Sequence, residues 1–236
     1  MSIILAIETS SELASCALVR GDALVVRESN GVRTHSQAIL PMVQELLAEA
    51  GVTLAQVDAI AFGAGPGSFT GVRTACGIAQ GLAFGAGLPV VPLVTLAAMA
   101  QACHAASGAT DVLAVLDARM GEVYWAQYRL EEGRWSTVAE PALCAPGAVA
   151  AVIVPGLRAC GNGLSAYLDA FAQQPFMADA RPDIMPHARE LALLARAAFA
   201  AGTAVAADQA QPLYLRNKIA YTSAERQVIN AAKAAA

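Results

Sequence analysis

"GAGPGSFTGVR", residues 63–73, sets Gly63, Gly65, Gly67 and Gly71 around Pro66, Ser68 and Thr70 and ends on Arg73. It follows the apolar run "VDAIAF" (57–62) and precedes the small-residue stretch "TACGIAQGLAF" (74–84). Strand, glycine turn and helix is the order in which many proteins present free backbone N–H groups to a phosphate. The loop lacks the Lys-Ser/Thr ending of a P-loop. Nor does a G-x-G-x-x-G stand at a strand–helix junction with an acidic ribose-binding residue about 20 positions on. The stretch therefore predicts an α/β fold with a phosphate-type turn, and leaves open whether that turn still holds a phosphate.

On its N-terminal side, "IILAIETSS" (3–11), "SCALVRGD" (15–22) and "ALVVRESN" (23–30) predict an antiparallel β-meander turning at Gly21-Asp22. "THSQAILPMVQELLAEAG" (34–51) predicts a helix capped by Thr34 or Ser36, stopped at Gly51 and kinked or started as a 3₁₀ turn by Pro41. At 100° per residue its apolar positions span about 200°, against little more than about 100° for a helix covering one sheet. That width predicts a second packing surface. The helix after the glycine loop carries Gly77, Gly81 and Gly85 on one line and Ala75, Ala79 and Ala83 on another. Each mid-helix glycine costs about 1 kcal/mol relative to alanine. Close packing on the chain's own sheet accounts for one such line; two lines predict that another backbone approaches.

On the C-terminal side, "LPVVPLVT" (88–95) predicts a strand and "LAAMAQACHAAS" a helix. After Gly108 the order restarts. "DVLAVLDARMGEVYWAQYRL" (111–130) predicts two strands joined at "DARMGE", with Glu131-Glu132 at a solvated hairpin tip and "WSTVAEPALC" extended beyond it. "RACGNGLSAYLDAF" (158–171) repeats strand, glycine turn, helix, and "HARELALLARAAFAAG" (187–202) is helical. Two tandem βββαβα-type halves follow, 1–106 and 107–236, with the terminal segment returning toward the first.

Hydrophobic residues make up 56% of the 236 and charged ones only 14%, below the roughly 25% charged of an ordinary domain. A chain so short of charge is expected to hide surface against a partner. The net charge of −4 argues against nucleic acid as the main ligand. A basic tail, with Arg216, Lys218, Arg226 and Lys233 against Glu225, is a solvated terminal helix or a contact for RNA or an acidic partner. Five scattered cysteines without a C-x-x-C, and no basic leader before the first apolar run, predict reduced thiols in the cytoplasm. Between Asp58 and Asp111 the only Asp, Glu, Lys or Arg is Arg73. Prolines and glycines cut that stretch into pieces shorter than the roughly 20 residues of a membrane span, so no membrane contact is expected.

Candidate chemistry is sparse. His35, His104 and His187 lie far apart, with no spacing that puts two ligands on one helix face. Ser68 and Ser165 follow glycine turns and are expected to cap helices. Glu8, in "IETSS", either holds a metal-bound water beside hydroxyls that hold a phosphate, or caps a turn. Asp117 occupies the equivalent place in the second half, where Arg119-Met120 fills with bulk a turn that would need small residues.

"ILAIETSS", "SQAILPMVQELL", "AFGAGPGSFTGVRTACGIAQGLA", "LDARMGEVYWAQY" and "PLYLRN" together resemble the bacterial TsaB family, firmly over 1–128 and more thinly over 130–210. The resemblance implies the fold of actin-like ATPases and a part in making threonylcarbamoyladenosine beside the tRNA anticodon. It implies a related catalytic protein, TsaD, with a metal-binding H-x-x-x-H after the strand that matches "LPVVPLV". The corresponding positions here are Thr95 and Met99, which supply no imidazole. The expectation is a scaffold with no metal or cofactor of its own, ATP and a metal ion being held by partner proteins. It would bind a TsaD-like protein, with a TsaE-like ATPase joining, meet tRNA only through that complex, and form a homodimer when alone. The interface assigned to it comprises Ile39, Met42, Val43, Leu46 and Leu47 of one helix and Arg73, Gly77, Gly81 and Gly85 of the next. Glu8, Thr9, Ser10, Asp117, Gly161 and Gly163 would be a vestigial nucleotide site. The competing expectation is an active phosphotransferase or ATPase using Glu8, Thr9, Asp117 and residues 161–163. A glycoprotease-like label attached to the family finds no protease nucleophile, base or metal in this sequence.

Overall fold

The structure, a computed structural model, describes residues 2–29 and 35–216. Its first sheet has the order β3-β2-β1-β4-β5 and its second β8-β7-β6-β9. In the first, β1 (Ile3–Glu8), β2 (Ala14–Arg20) and β3 (Ala23–Ser29) form the antiparallel meander. Then β4 (Ala59–Gly65) and β5 (Val90–Val94) add in parallel. In the second, β6 (Asp111–Arg119), β7 (Glu122–Glu131) and β8 (Arg134–Cys144) form another meander, and β9 (Arg158–Cys160) lies parallel to β6. The shared order, a meander whose first strand accepts the next one in parallel, is the internal repeat of an actin-like α/β fold.

Both faces of the first sheet are covered, so β1 and β4 are apolar along their length rather than alternating. Leu5, Ile7, Ile60 and Phe62 point toward α1 (His35–Glu49) and α2 (Phe69–Ala86). Ile4, Ala6, Ala59 and Ala61 point the other way, against Leu191, Ala192 and Ala195 of α6 (Ala188–Ala200). Helix α3 (Thr95–Ser107) lies between the sheets: Ala98 joins the α6 side, whereas Leu96, Met99, Ala100 and Cys103 pack on Val112, Ala114 and Tyr128 of the second sheet. Although α6 comes late in the chain, it completes the first sheet's core. The segment after it stays there, through a Val90–Val205 bridge and a Leu213 N–H donated to the Ala64 carbonyl at 2.7 Å.

Helix α1 is described from His35, so of its two expected caps Ser36 lies inside it and Thr34 lies outside the described residues. Two local expectations change. The helix of the second glycine turn is two short pieces, α4 (Gly163–Ala166) and α5 (Leu168–Phe171), broken at Tyr167. Ser165 does not cap: its hydroxyl donates to the Asn162 carbonyl from inside α4, whereas Ser68 caps α2 as expected, accepting from Gly71 N–H. No helix among the described residues is long and apolar enough to cross a membrane.

The glycines of the 63–71 loop are set by the chain's own backbone. A Cβ on Gly71 would stand 1.9 Å from the Thr9 carbonyl oxygen, and one on Gly67 would stand 2.6 Å from both the Cβ and the carbonyl oxygen of Ser10. Neither neighbour is the loose end of a side chain, so both must shift. Gly71→Ala is therefore expected to destabilise the protein by about 2 kcal/mol or more, measured by urea unfolding. Parent-like stability would mean the loop does not close on β1 in this way.

Candidate functional site

The two halves enclose a cleft of about 550 Å³. Its walls are the β1–β2 turn (Ser10, Ser11, Glu12), the α2 entry (Gly67, Ser68, Phe69), the end of β6 with its turn (Leu116 to Met120), Asn162, and the extended segment Leu213–Arg216. Of the residues expected to form a vestigial nucleotide site, only Ser10 and Asp117 line it.

The others lie behind the wall, for reasons of packing. Glu8 is fully buried, with one carboxylate oxygen accepting the Ser10 N–H and the other, Oε2, without a partner. A Cβ on Gly63 would fall 2.0 Å from that Oε2, so Gly63 makes room for the carboxyl group. Thr9 is buried too, and its hydroxyl donates to the Gly71 carbonyl at 2.7 Å, tying β1 to the first turn of α2. Gly161 and Gly163 serve the second half's equivalent turn. A Cβ on Gly161 would lie 2.2 Å from the Val115 carbonyl oxygen, and one on Gly163 would lie 2.8 Å from Val115 Cγ1. These glycines meet β6, and no ligand needs to be invoked for them.

Asp117 reaches the cleft with its carboxylate already engaged. Oδ1 accepts from the Arg119 N–H at 2.8 Å and the Tyr167 hydroxyl at 3.0 Å, and Oδ2 lies 3.1 Å from an Arg119 guanidinium nitrogen. Its own N–H donates to Asn162 Oδ1 at 2.9 Å. Arg119 and Met120 both adopt left-handed φ values of 60°, each costing a non-glycine residue about 1–2 kcal/mol. Such conformations persist where surrounding contacts fix them. Thr95 and Met99 are wholly buried in the α3 packing, and the Thr95 hydroxyl has no partner.

The second candidate surface is the outer face of α1 and α2, and here the expected interface divides. Ile39, Met42, Val43 and Leu46 are core residues, 0 to 7% exposed against the first sheet. Their assignment to a partner surface is corrected: the wide apolar arc is consumed mostly by this chain's own sheet, leaving Leu47 half-buried and Leu40 exposed. A charge at Val43 would test folding rather than docking. Helix α2 is the reverse. Ala75, Ala79 and Ala83 are buried on the sheet. Gly77, Gly81 and Gly85 are exposed, with nothing within 4 Å of where a Cβ would stand. Phe84 beside them is 83% exposed. At the N-terminal end of that helix the Arg73 guanidinium lies 3.5 Å over the Phe69 ring, and its Nε donates to the Tyr214 hydroxyl at 2.8 Å.

A family model described as "TsaD: tRNA N6-adenosine threonylcarbamoyltransferase" matches residues 25–235. Relatives from Escherichia coli and Haemophilus influenzae, each named tRNA threonylcarbamoyladenosine biosynthesis protein TsaB, are both 41% identical to this chain. The matches cover 92% of it and 96% and 95% of theirs. The chain belongs to the TsaB family. A solved structure described as YeaZ from Pseudomonas aeruginosa superposes with a TM-score of 0.85 at 42% identity, covering 91% of this chain and all of that one. A second, described as an uncharacterized Pseudomonas aeruginosa protein with similarity to peptidase YEAZ, gives a TM-score of 0.86 at 42% identity, over 92% of this chain and all of its own. In this TsaB-family chain each histidine ring has a partner other than a serine or cysteine. His35 lies against the Glu12 carbonyl, His104 against the Ala109 carbonyl, and His187 against Glu28.

Sequence reasoning missed Glu12 and Tyr214 at the cleft and Tyr167 behind Asp117, and it named Asn162 only within residues 161–163 and Arg216 only within a basic tail. Glu12 meets Arg119 over a separation of 107 residues, and Arg73 meets Tyr214 over 141. No local periodicity signals such pairings.

Burial of Glu8 holds its carboxyl above the usual carboxylate range, against the opposing pull of hydrogen bonds from Ser10 and Thr9. The folded state therefore keeps its proton more tightly than the unfolded chain. Stability from this group is fully present below the ordinary value near 4.5 and is lost as pH rises toward the folded value. Glu8→Gln removes that titration. The stability advantage of the variant over the parent is expected to grow as pH rises from about 4.5 upward, read from unfolding midpoints across pH. A pH-independent difference would show that Glu8 is ionised in the folded protein.

Proposed function

We propose that this chain is a non-catalytic subunit in tRNA threonylcarbamoyladenosine biosynthesis, binding a TsaD-like catalytic protein through the exposed face of α2. The observation that carries this reading is the Gly77/Gly81/Gly85 line, three helix-weakening residues with open space beyond each and an exposed phenylalanine alongside. Among the described residues nothing packs against those glycines, and a close-approaching partner would account for them. The cleft supports the same reading from the other side. The carboxylate at Asp117 is neutralised internally and the positions of the metal-binding pair are Thr95 and Met99. A TsaE-like ATPase would join through that complex, tRNA would be met by the partner, and ATP and metal would be held there too. Alone, the same face would pair two copies of this chain in the cytoplasm.

Gly81→Leu separates this interface role from a structural one. An exposed mid-helix glycine replaced by leucine should raise the stability of the dilute monomer by up to about 1 kcal/mol. The same change should weaken binding to a TsaD-like protein by at least about tenfold and abolish tRNA modification in a reconstituted reaction, because the added side chain holds the backbones apart. Mass spectrometry of tRNA nucleosides and sedimentation of the mixed proteins read the two effects. Full complex formation by a folded Gly81→Leu protein would overturn the assignment of this face.

A further inference from the structure

We infer that the Arg119 guanidinium, on the wall of the interlobe cleft, ties the two halves of this chain together by bridging one carboxylate from each. The two equivalent turns of the repeat meet there. Glu12 follows β1, and its Oε1 lies 3.2 Å from Arg119 Nη2; Asp117 stands two residues before the end of β6, and its Oδ2 lies 3.1 Å from Arg119 Nη1. A single planar cation thus serves both carboxylates, through a fork suited to such a bridge.

The turn is built to aim that side chain. Pairing between β6 and β7 slips between Asp117 and Arg119, and Arg119, Met120 and Gly121 all have left-handed φ values. A bulge of this kind redirects a side chain away from the regular alternation of the strand. The turn is then pinned from the C-terminal segment. Arg216 donates to the Arg119 carbonyl at 3.3 Å, meets Met120 Sδ at 3.3 Å and pairs with Glu122 at 2.6 Å. Arg216 is itself held near the first half, since Leu213 bonds to Ala64 and Tyr214 to Arg73. The guanidinium, its two carboxylates and the pinned turn all line the cleft between the halves.

The two arms of the bridge differ in strength. The Asp117 side chain is 8% exposed and further held by Tyr167, so it anchors Arg119. The Glu12 side chain is 84% exposed, so this arm is weak and screened by salt. The bridge therefore has one firm arm and one labile arm, and the labile one is the arm that reaches the first half.

The test uses the isolated full-length chain and needs no partner, so it succeeds or fails independently of the scaffold reading. Amide hydrogen exchange is followed at residues 10–12 and 117–121 in the parent, Glu12→Gln, Arg119→Ala and the double variant. Glu12→Gln is expected to speed exchange at both turns by about two- to five-fold. Arg119→Ala should do so by more, and the double variant should match Arg119→Ala. Raising salt to about 0.5 M should speed exchange in the parent more than in Glu12→Gln, which lacks the exposed arm. Two results would overturn the inference: Glu12→Gln leaving exchange at 117–121 unaltered, or the two substitutions acting additively. Because Glu12→Gln lies at an exposed turn and keeps its side-chain shape, its effect is not confounded by loss of the fold.

Discussion

The contact on which the arrangement depends is the closure of the glycine loop onto the end of β1. Gly63 leaves room for the Glu8 carboxyl, Gly67 for Ser10, and Gly71 for the Thr9 carbonyl, while the Thr9 hydroxyl returns a hydrogen bond to Gly71. Those contacts fix where α2 starts and how it lies on the first sheet. From that start follow the buried alanine line, the exposed glycine line, and the position of Phe69 and Arg73 at the rim of the cleft. A loop with the outward pattern of a phosphate cradle is thus filled, at its base, by the chain's own backbone and a buried carboxyl.

The same economy recurs in the second half. Gly161 and Gly163 admit the backbone of β6 as Gly67 and Gly71 admit that of β1. Between the two turns, Asp117 is held by Arg119, Tyr167 and Asn162 in place of anything from outside. Glu8 and Asp117 stand at corresponding ends of the repeat with opposite solutions to the same problem. Glu8 is buried with its carboxyl desolvated, and Asp117 is paired with a cation. Neither leaves an unpaired, solvated carboxylate of the repeat facing the cleft.

The surfaces left over are instructive because they separate two helices that look alike in sequence. Both α1 and α2 are apolar over more than a sheet-facing stripe. Helix α1 uses that excess on its own core, since it packs on β2 and β3 and buries Ile39, Met42, Val43 and Leu46 in the first sheet's core. Helix α2 keeps only its alanine line inside and turns its glycines outward. A wide apolar arc is therefore a weaker sign of a partner face than a line of residues too small to serve the helix that carries them.

The sequence by itself determined the element order, the two meanders, the strand–glycine–helix units and the repeat, because each follows from local periodicity, turn chemistry and chain connectivity. It also determined the family, through motifs spread over most of the chain, and the lack of imidazoles at positions 95 and 99. Only the tertiary structure decided which apolar residues are core and which are surface, because burial depends on what lies opposite a helix face. It alone showed that α6, late in the chain, completes the first sheet. It alone brought Glu12 to Arg119 and Tyr214 to Arg73, since pairings across more than a hundred residues are set by how the two sheets pack around α3 and leave no trace in local pattern.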